Sequence, residues 1–255
     1  ATVTSIANGA FYGCSAIESM KLAYVGNNAD NTTYGLGYIF GNYAYVGSVS
    51  AYQDTTYYLP AKLTSVTLTG DKVINNAFRN AKNLKNVTLS GNVTSIGEYA
   101  FADCERLQQI ALPATLEEIK SFAFSGCGSL QNVAFGDKVA KVANGAFNGC
   151  ASLKSVAFGA EDVVIGDSAF IECSALQNAT FSKKVQSIGS HAFGACASLQ
   201  NVAFNGNVDS IGNYAFSGCA ALQNVTFASD VKSVGNSAFA NCTALKTVAL
   251  PENAT

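Results

Sequence analysis

The sequence predicts an α/β solenoid, with one parallel β-sheet along one face and short α- or 3₁₀-helical turns on the opposite face. A phenylalanine preceded by alanine returns at a constant step of 23 residues (101 − 78 = 23), and apolar and glycine positions recur with it. Periods of about 20–50 residues indicate a supersecondary unit stacked on copies of itself. Because length is then a copy number, we expect one continuous domain over residues 1–255. The phenylalanines are Phe78, Phe101, Phe124, Phe147, Phe170, Phe193, Phe216 and Phe239.

Each copy begins with a pattern that alternates apolar and small polar residues, as in Leu107, Ile110 and Leu112. Alternation at period two predicts a strand, and the strands of successive copies are expected to join in one parallel sheet. The outward positions form a flat face of small uncharged groups. We interpret this face as a candidate contact surface for an extended peptide, a glycan or a second copy of the chain; the alternative is an unselected surface copied by duplication. Its candidate residues are Asn132, Asn178, Asn201 and Asn224.

The A-F-x-x-C segment, residues 123–127 in one copy, has apolar residues one helical turn apart. This spacing predicts a turn of α- or 3₁₀-helix opposite the sheet. The rival architecture is a parallel β-helix, in which the same segment is extended. Glycines that recur between strand and turn, such as Gly97 and Gly212, predict a bend or a close approach of backbones.

Residues 24–59 depart from the repeat: the A-F motif is missing, and most of the 11 tyrosines of the chain gather there. We interpret this segment as either a degenerate repeat or a Tyr/Gly-rich excursion, and we expect 40–45 where a strand belongs. Tyrosine among glycine, serine and asparagine is typical of adaptable binding surfaces. Tyr38, Tyr43, Tyr45 and Tyr52 are therefore candidate partner-binding residues. The alternative is that the rings cover the open end of the sheet.

The 8 cysteines follow the repeat, Cys14 included. Parallel copies would hold successive Cβ atoms about 4.8 Å apart, which exceeds the roughly 3.5–4.5 Å that a disulfide prefers. A linear ladder also does not converge as zinc ligands must. We therefore predict free thiols that pack as small buried apolar groups.

Charge and motifs argue against several functional classes. Charged residues make up 13% of the chain and its net charge is −2, without a basic run, so a nucleic-acid partner is not expected. No run of 18 apolar residues and no signal peptide pattern occurs. Since position 1 falls inside a repeat, we expect an excised fragment of a longer chain. The single histidine, His191, occupies a variable and therefore exposed slot; with no catalytic, phosphate-binding or metal-binding motif, we predict no enzyme, cofactor or metal.

The 23-residue unit L-x-x-V-x-[LF]-x(3)-V-x-x-I-G-x-x-A-F-x-x-C-x-x-L resembles the BspA-like leucine-rich repeats of surface proteins from host-associated anaerobic bacteria and mucosal protists. Eight copies lie between Leu63 and Leu250, with a part-copy near the N-terminus. The resemblance implies a leucine-rich repeat solenoid, an extracellular or cell-surface location, and a non-enzymatic adhesion module whose partner is a host or microbial surface protein or a glycan. The alternative is a structural spacer without a ligand of its own; self-association through open solenoid ends is a further expectation.

Overall fold

The computed structural model describes residues 3–52, 55–248 and 250, which form a solenoid of stacked copies. One 3₁₀ helix, Leu36–Ile39, and sixteen strands are present in this part of the chain. The strands are β1 (Ser19–Leu22), β2 (Ser48–Tyr52), β3 (Thr56–Pro60), β4 (Ser65–Leu68), β5 (Asn86–Leu89), β6 (Ser95–Ile96), β7 (Gln109–Ala111), β8 (Glu118–Ile119), β9 (Lys141–Val142), β10 (Ser155–Phe158), β11 (Val163–Ile165), β12 (Asn178–Phe181), β13 (Val185–Ile188), β14 (Asn201–Phe204), β15 (Asn224–Phe227) and β16 (Thr247–Val248).

The predicted strand column is confirmed. Strands pair in parallel in the orders β1-β4-β5-β7 and β10-β12-β14-β15-β16, and an isolated bridge between Gln109 and Asn132 extends the first group by one copy. Pairing is in register, so that Val202 lies beside Val225 and Phe204 beside Phe227. The alternate residues of β14 point inward and are buried. This arrangement aligns identical columns of side chains along the stack.

The expectation of a single sheet is wrong, because the V-x-x-I positions form a second parallel sheet. Its order is β13-β11-β9-β8-β6, and several of its strands have only two residues. Ile119 and Val142 are partners in this sheet and are fully buried. Each copy therefore contributes two short strands and turns a corner between them.

The predicted helical turns are also wrong, and the cause is the backbone at both ends of the A-F segment. In residues 122–126, Phe122 has φ 56° and Gly126 has φ 74°, so both are left-handed. Left-handed residues interrupt an α-helix. The amide N–H groups of Phe122, Phe124 and Gly126 instead donate to carbonyls of the next copy, at 3.0, 2.7 and 2.8 Å. The segment is a hydrogen-bonded turn and is not the extended strand of a β-helix either.

Two ladders of stacked phenylalanine rings fill the core. From Phe78 to Phe239 each ring lies 4.9–5.2 Å from the next, with interplanar angles of 9° or less. A second ladder runs from Phe135 to Phe227, and its rings meet the first ladder edge to face. The predicted burial is confirmed for all of the first ladder except Phe239, which is half-buried in the last copy.

The segment 24–59 adds no strand to the main column. Strand β1 pairs directly with β4, although the partners Ser19 and Ser65 are 46 residues apart (65 − 19 = 46). The 3₁₀ helix lies in the turn column instead, since Phe11 N–H donates to Ile39 O at 2.8 Å and Leu36 N–H donates to Ala77 O at 2.7 Å. Strands β2 and β3 form an antiparallel hairpin. The expectation of a strand at 40–45 is therefore wrong: the segment combines an altered turn with an inserted hairpin.

The recurring glycine permits close contact between copies, as predicted. A Cβ atom at Gly97 would meet the backbone of Ile74 and Asn75 in the preceding copy, closer than a real Cβ can approach. Gly212 is similar, because its Cβ would lie 2.8 Å from backbone atoms of Gly189 and Ser190. At these positions glycine is required by space.

We expect Gly97→Ala to lower the free energy of unfolding by about 2 kcal/mol, because the added methyl group forces two copies apart. Gly128→Ala is the matched control, since a Cβ there meets no atom within 4 Å; its effect should stay within about 0.5 kcal/mol. Urea unfolding followed by circular dichroism measures both. Equal stability of the two variants would contradict the close-contact explanation.

Candidate functional site

An exposed aromatic and aliphatic patch lies where residues 24–59 meet the N-terminal part-copy. We name it the cap patch and define it by Tyr12, Tyr43 and Val46, which are 51%, 71% and 95% exposed. Tyr12 Oη donates to the carbonyl oxygen of Ala44 at 3.4 Å, which joins the part-copy to the segment. Sequence reasoning identified Tyr43 but missed Tyr12, which lies outside 24–59, and Val46, because the composition signal in that segment was its tyrosines.

Tyr45 contacts the cap patch through Tyr12. Its ring meets the Tyr12 ring edge to face, with centroids 5.4 Å apart. Ser48 Oγ accepts from the Tyr45 N–H and donates to its carbonyl oxygen, which fixes the turn. Burial raises the pKa of the Tyr45 hydroxyl to about 12, and nearby Cys14 and Tyr12 add to the shift. Tyr45 is half-buried, so it offers a partner less contact area than Tyr43 does.

The other two candidate tyrosines are separate from the cap patch in their contacts. Tyr38 is half-buried, packs against the core and stacks on Tyr34 with ring centroids 4.4 Å apart. Tyr52 ends β2 opposite Thr56, and its side chain lies outside the described residues. The four tyrosines proposed from sequence thus do not form one contiguous set in the described contacts.

The flat polar face carries a ladder of hydrogen-bonded amides. Asn201 Nδ2 donates to Asn178 Oδ1 at 2.9 Å, and Asn224 Nδ2 donates to Asn201 Oδ1 at 2.8 Å. Asn132 is exposed and occupies the same repeat position five steps of 23 residues before Thr247 (247 − 132 = 115). The ladder uses part of the hydrogen-bonding capacity that a ligand would need. A shallow depression of about 450 Å³ lies at its end and is lined by Gln223, Asn224, Ala244, Lys246 and Thr247.

The thiols make a contact that sequence reasoning missed. Each buried cysteine Sγ donates to the carbonyl oxygen of the phenylalanine in the preceding copy, at 3.1–3.3 Å. Cys150 Sγ, for example, reaches Phe124 O, which also accepts the Cys127 N–H. The predicted free state is confirmed for all eight, and burial for seven. Cys14 is exposed, contrary to expectation.

Burial also changes the ionisation of these thiols. It raises the pKa of Cys104, Cys127, Cys150 and Cys173 well above the usual range. Burial raises the pKa of Cys196 to about 12. These five thiols therefore stay protonated and unreactive at neutral pH, as expected for a structural rather than catalytic role.

Amide and carboxylate side chains near the turns are engaged in structural contacts. Asn144 Oδ1 accepts the Asp167 N–H at 2.9 Å, and Asp167 Oδ1 accepts the Ser190 N–H at 2.7 Å. Lys184 bridges Asp162 and Asp209 at 2.7 and 3.2 Å. Within 3–52, 55–248 and 250, no group of three or more His, Cys, Asp or Glu residues is arranged to hold a metal ion. In the same ranges, no helix has the length and apolar character needed to span a bilayer.

Comparisons with known proteins agree with this architecture. The family model of the BspA type leucine rich repeat region matches residues 1–69, 71–183 and 163–255 in six copies. A leucine-rich repeat protein from Bacteroides ovatus is 22% identical, covers 98% of this chain and 83% of its own, and has a TM-score of 0.54. One from Eubacterium ventriosum is 17% identical, with coverage of 76% and 80% and a TM-score of 0.51. The T. pallidum leucine-rich repeat protein is 26% identical, with coverage of 74% and 73% and a TM-score of 0.45. No curated protein sequence matches significantly.

We expect a thiol reagent to modify Cys14 alone in the native protein, because the other seven thiols are buried. After unfolding in denaturant without reductant, all eight should react, which mass spectrometry of the labelled chain counts directly. A count of two or fewer in the unfolded chain would indicate disulfides and contradict the packing role.

Alkaline pH should destabilise the protein steeply. Unfolded thiols ionise near pH 8.5, whereas the buried thiols keep their protons, so their stabilisation is complete below that pH and is lost as pH rises above it. Each such thiol should lower the free energy of unfolding by about 1.4 kcal/mol per pH unit. Urea titrations at pH 7, 9 and 10 measure how the free energy of unfolding falls with pH. Cys150→Ala should make this fall shallower by about 1.4 kcal/mol per pH unit, the contribution of one thiol. An unchanged slope in this variant would show that Cys150 ionises in the fold.

Proposed function

The chain belongs to the BspA-type leucine-rich repeat family, and on that premise we propose that it is an extracellular, non-enzymatic binding module that docks a surface protein through its cap patch. The observation that carries the proposal is the exposure of Tyr43 and Val46, at 71% and 95%. Large apolar groups this exposed have no role in the core, and they are typical of interaction sites when they cluster.

The exposed apolar groups are concentrated at one end of the chain. Among the described residues, five of the eight large apolar side chains that are exposed lie before residue 47. They are Val3, Tyr12, Tyr34, Tyr43 and Val46. A tyrosine offers a large contact area for few rotatable bonds, and interfaces concentrate their binding energy in a few aromatic anchors. Three of these five, Tyr12, Tyr43 and Val46, form the cap patch, which supports docking there over docking at the uniform repeats.

A surface protein fits the cap patch better than a charged polymer does. Tyr12, Tyr43 and Val46 are uncharged, and Lys, Arg, Asp and Glu are absent from the stretch 34–53. Phosphate and sulfate polymers require several cationic contacts. An apolar centre with a polar rim is instead the usual anatomy of a protein interface.

The rest of the surface supports a non-enzymatic role. Carboxylates such as Asp167 and Asp209 bind neighbouring backbone or lysine groups. The single histidine stacks on Tyr214. Nucleophilic catalysis requires a nucleophile within hydrogen-bond reach of a base, and the buried thiols donate to backbone carbonyls instead.

We expect the double variant Tyr43→Ser/Val46→Ser to weaken binding to its protein partner by more than tenfold, with an unchanged melting temperature because both side chains are exposed. A partner is first selected by probing the chain against an array of purified extracellular proteins. Surface plasmon resonance then measures Kd for the wild type, the double variant and the control Asn201→Ala, which alters the polar face.

The outcomes separate the alternatives. Binding that is lost in Asn201→Ala but kept in the double variant would move the site to the polar face. A chain that binds no protein at micromolar concentration would favour the structural spacer, which the continuous phenylalanine ladder suits. Tyr38→Ala serves as a folding control, because its ring packs against the core and its loss should lower the melting temperature.

A further inference from the structure

One backbone position in each turn is left-handed, and its occupants are unusual. The residue before the Ala-Phe pair has φ between 53° and 62° in all eight copies. Glycine and asparagine adopt this conformation readily, whereas a bulky aromatic residue there is strained. Four of the eight occupants nevertheless carry rings. The occupants are Asn76, Tyr99, Phe122, Gly145, Ser168, His191, Tyr214 and Ser237.

The first pair of rings is accounted for by packing. Tyr99 and Phe122 stack with centroids 5.1 Å apart and an interplanar angle of 9°. The Arg79 guanidinium lies 4.9 Å from the Tyr99 ring centroid and covers its outer face. The Phe122 ring fills the space that a side chain at Gly145 would take. Both faces of the Tyr99 ring are therefore occupied.

In the second pair, no second ring or cation of the described residues stacks on the other face of Tyr214. His191 and Tyr214 stack with centroids 5.0 Å apart and an interplanar angle of 7°. Both residues are exposed, Tyr214 by 42%. His191 covers one face of the Tyr214 ring, so the other face is directed along the column towards Ser237, which is small and exposed. Strain at an exposed ring that is stacked on one face only, as far as the described residues show, suggests a functional reason for the ring.

The surroundings of this open face are polar and uncharged. Residues 212–218 and 235–241 consist of glycine, alanine, asparagine, serine, phenylalanine and Tyr214 itself. Asn213, Asn236 and Ser237 are exposed. Asn213 Oδ1 accepts the Asn236 N–H at 2.8 Å, which fixes the amide and leaves its NH₂ group as a donor.

We propose that the turn around Tyr214 binds a neutral glycan, with the apolar C–H face of a sugar ring on the open face of Tyr214 and its hydroxyls hydrogen-bonded to Asn213, Asn236 and Ser237. The inference rests on the proposed role as a binding module and adds a second surface on a different copy from the cap patch. A tyrosine ring provides the flat apolar platform and amides provide paired donors and acceptors.

Other ligands fit this surface less well. A nucleic acid or sulfated polymer would need lysine or arginine beside the rings, and none lies in 212–218 or 235–241. A cationic ligand would be favoured by a carboxylate, and the same ranges contain none. A protein partner would need a broader apolar centre than one ring pair offers. An uncharged surface with many small hydrogen-bonding groups is suited to binding a neutral saccharide.

The test uses the whole chain and four defined hexasaccharides: neutral β-1,4-linked oligomers of glucose, mannose and N-acetylglucosamine, and a sulfated heparin-derived oligomer. Saturation-transfer NMR should detect binding of at least one neutral oligomer through its C–H protons, and calorimetry gives its Kd. Tyr214→Asn should weaken this binding at least tenfold without lowering the melting temperature, because asparagine tolerates the left-handed backbone, as Asn76 does in its copy.

Two variants keep the result interpretable. Tyr99→Asn is the matched control, since it removes a ring whose faces are already covered, and it should leave binding unchanged. Tyr214→Phe retains the platform and should retain binding within about threefold, so a loss as large as that of Tyr214→Asn would overturn the stacking role. Binding of the sulfated oligomer alone, of no oligomer, or equally by wild type and Tyr214→Asn would each overturn the proposal.

The cap patch is tested separately in the same assay. Tyr43→Ser/Val46→Ser should bind the neutral oligomer as the wild type does, because it leaves the Tyr214 turn intact. Loss of saccharide binding in that variant would assign the sugar to the cap patch and overturn the Tyr214 site. If the chain binds its protein partner but no saccharide, the Tyr214 glycan site is refuted and the proposed protein-binding role of the cap patch stands.

Discussion

The structure depends on one constraint: each copy must match its neighbour in register, one strand spacing further along the stack. Backbone N–H groups of one copy donate to carbonyls of a neighbouring copy in both sheets and in the turn, so equivalent residues of successive copies lie beside each other. Phenylalanine satisfies this constraint well, because its flat ring stacks on an identical ring about 5 Å away. Parallel sheets and ring ladders are therefore two consequences of one geometry.

The same constraint explains residues that resemble functional ones. A repeated cysteine resembles a redox or metal motif, yet each thiol donates to the phenylalanine carbonyl of the copy before it. A repeated asparagine or aspartate near the turn resembles a ligand, yet its oxygen accepts a backbone N–H of the next copy. In a solenoid, a structural role should therefore be tested before a functional one for any polar group that recurs in most copies.

Candidate functional positions are then those where a copy departs from the column without a structural reason. Tyr43 and Val46 are two such positions, because both side chains are exposed and neither belongs to the core. Tyr214 is another, because its backbone is left-handed and asparagine or glycine would adopt that conformation with less strain. Gly145 also departs from its neighbours, but the Phe122 ring above it supplies the reason. Strain alone does not mark a candidate position, since Tyr99 and Phe122 share the left-handed backbone and are explained by packing.

The sequence alone determined the period, the strand column, the buried phenylalanines, the free thiols and the close-contact glycines, because each depends on a side-chain column that periodicity reveals. It did not determine the path of the A-F segment: apolar spacing fits a helical turn, and only the tertiary structure shows left-handed residues at Phe122 and Gly126 that redirect their N–H groups to the next copy. Asparagine and glycine at many of these slots were the available signal. For the candidate sites, composition located the tyrosine-rich segment, but burial of Tyr38 and Tyr45 and exposure of Tyr12 follow from contacts between segments far apart in the chain. Periodicity carries no information about such contacts, so the tertiary structure decided which rings reach the solvent.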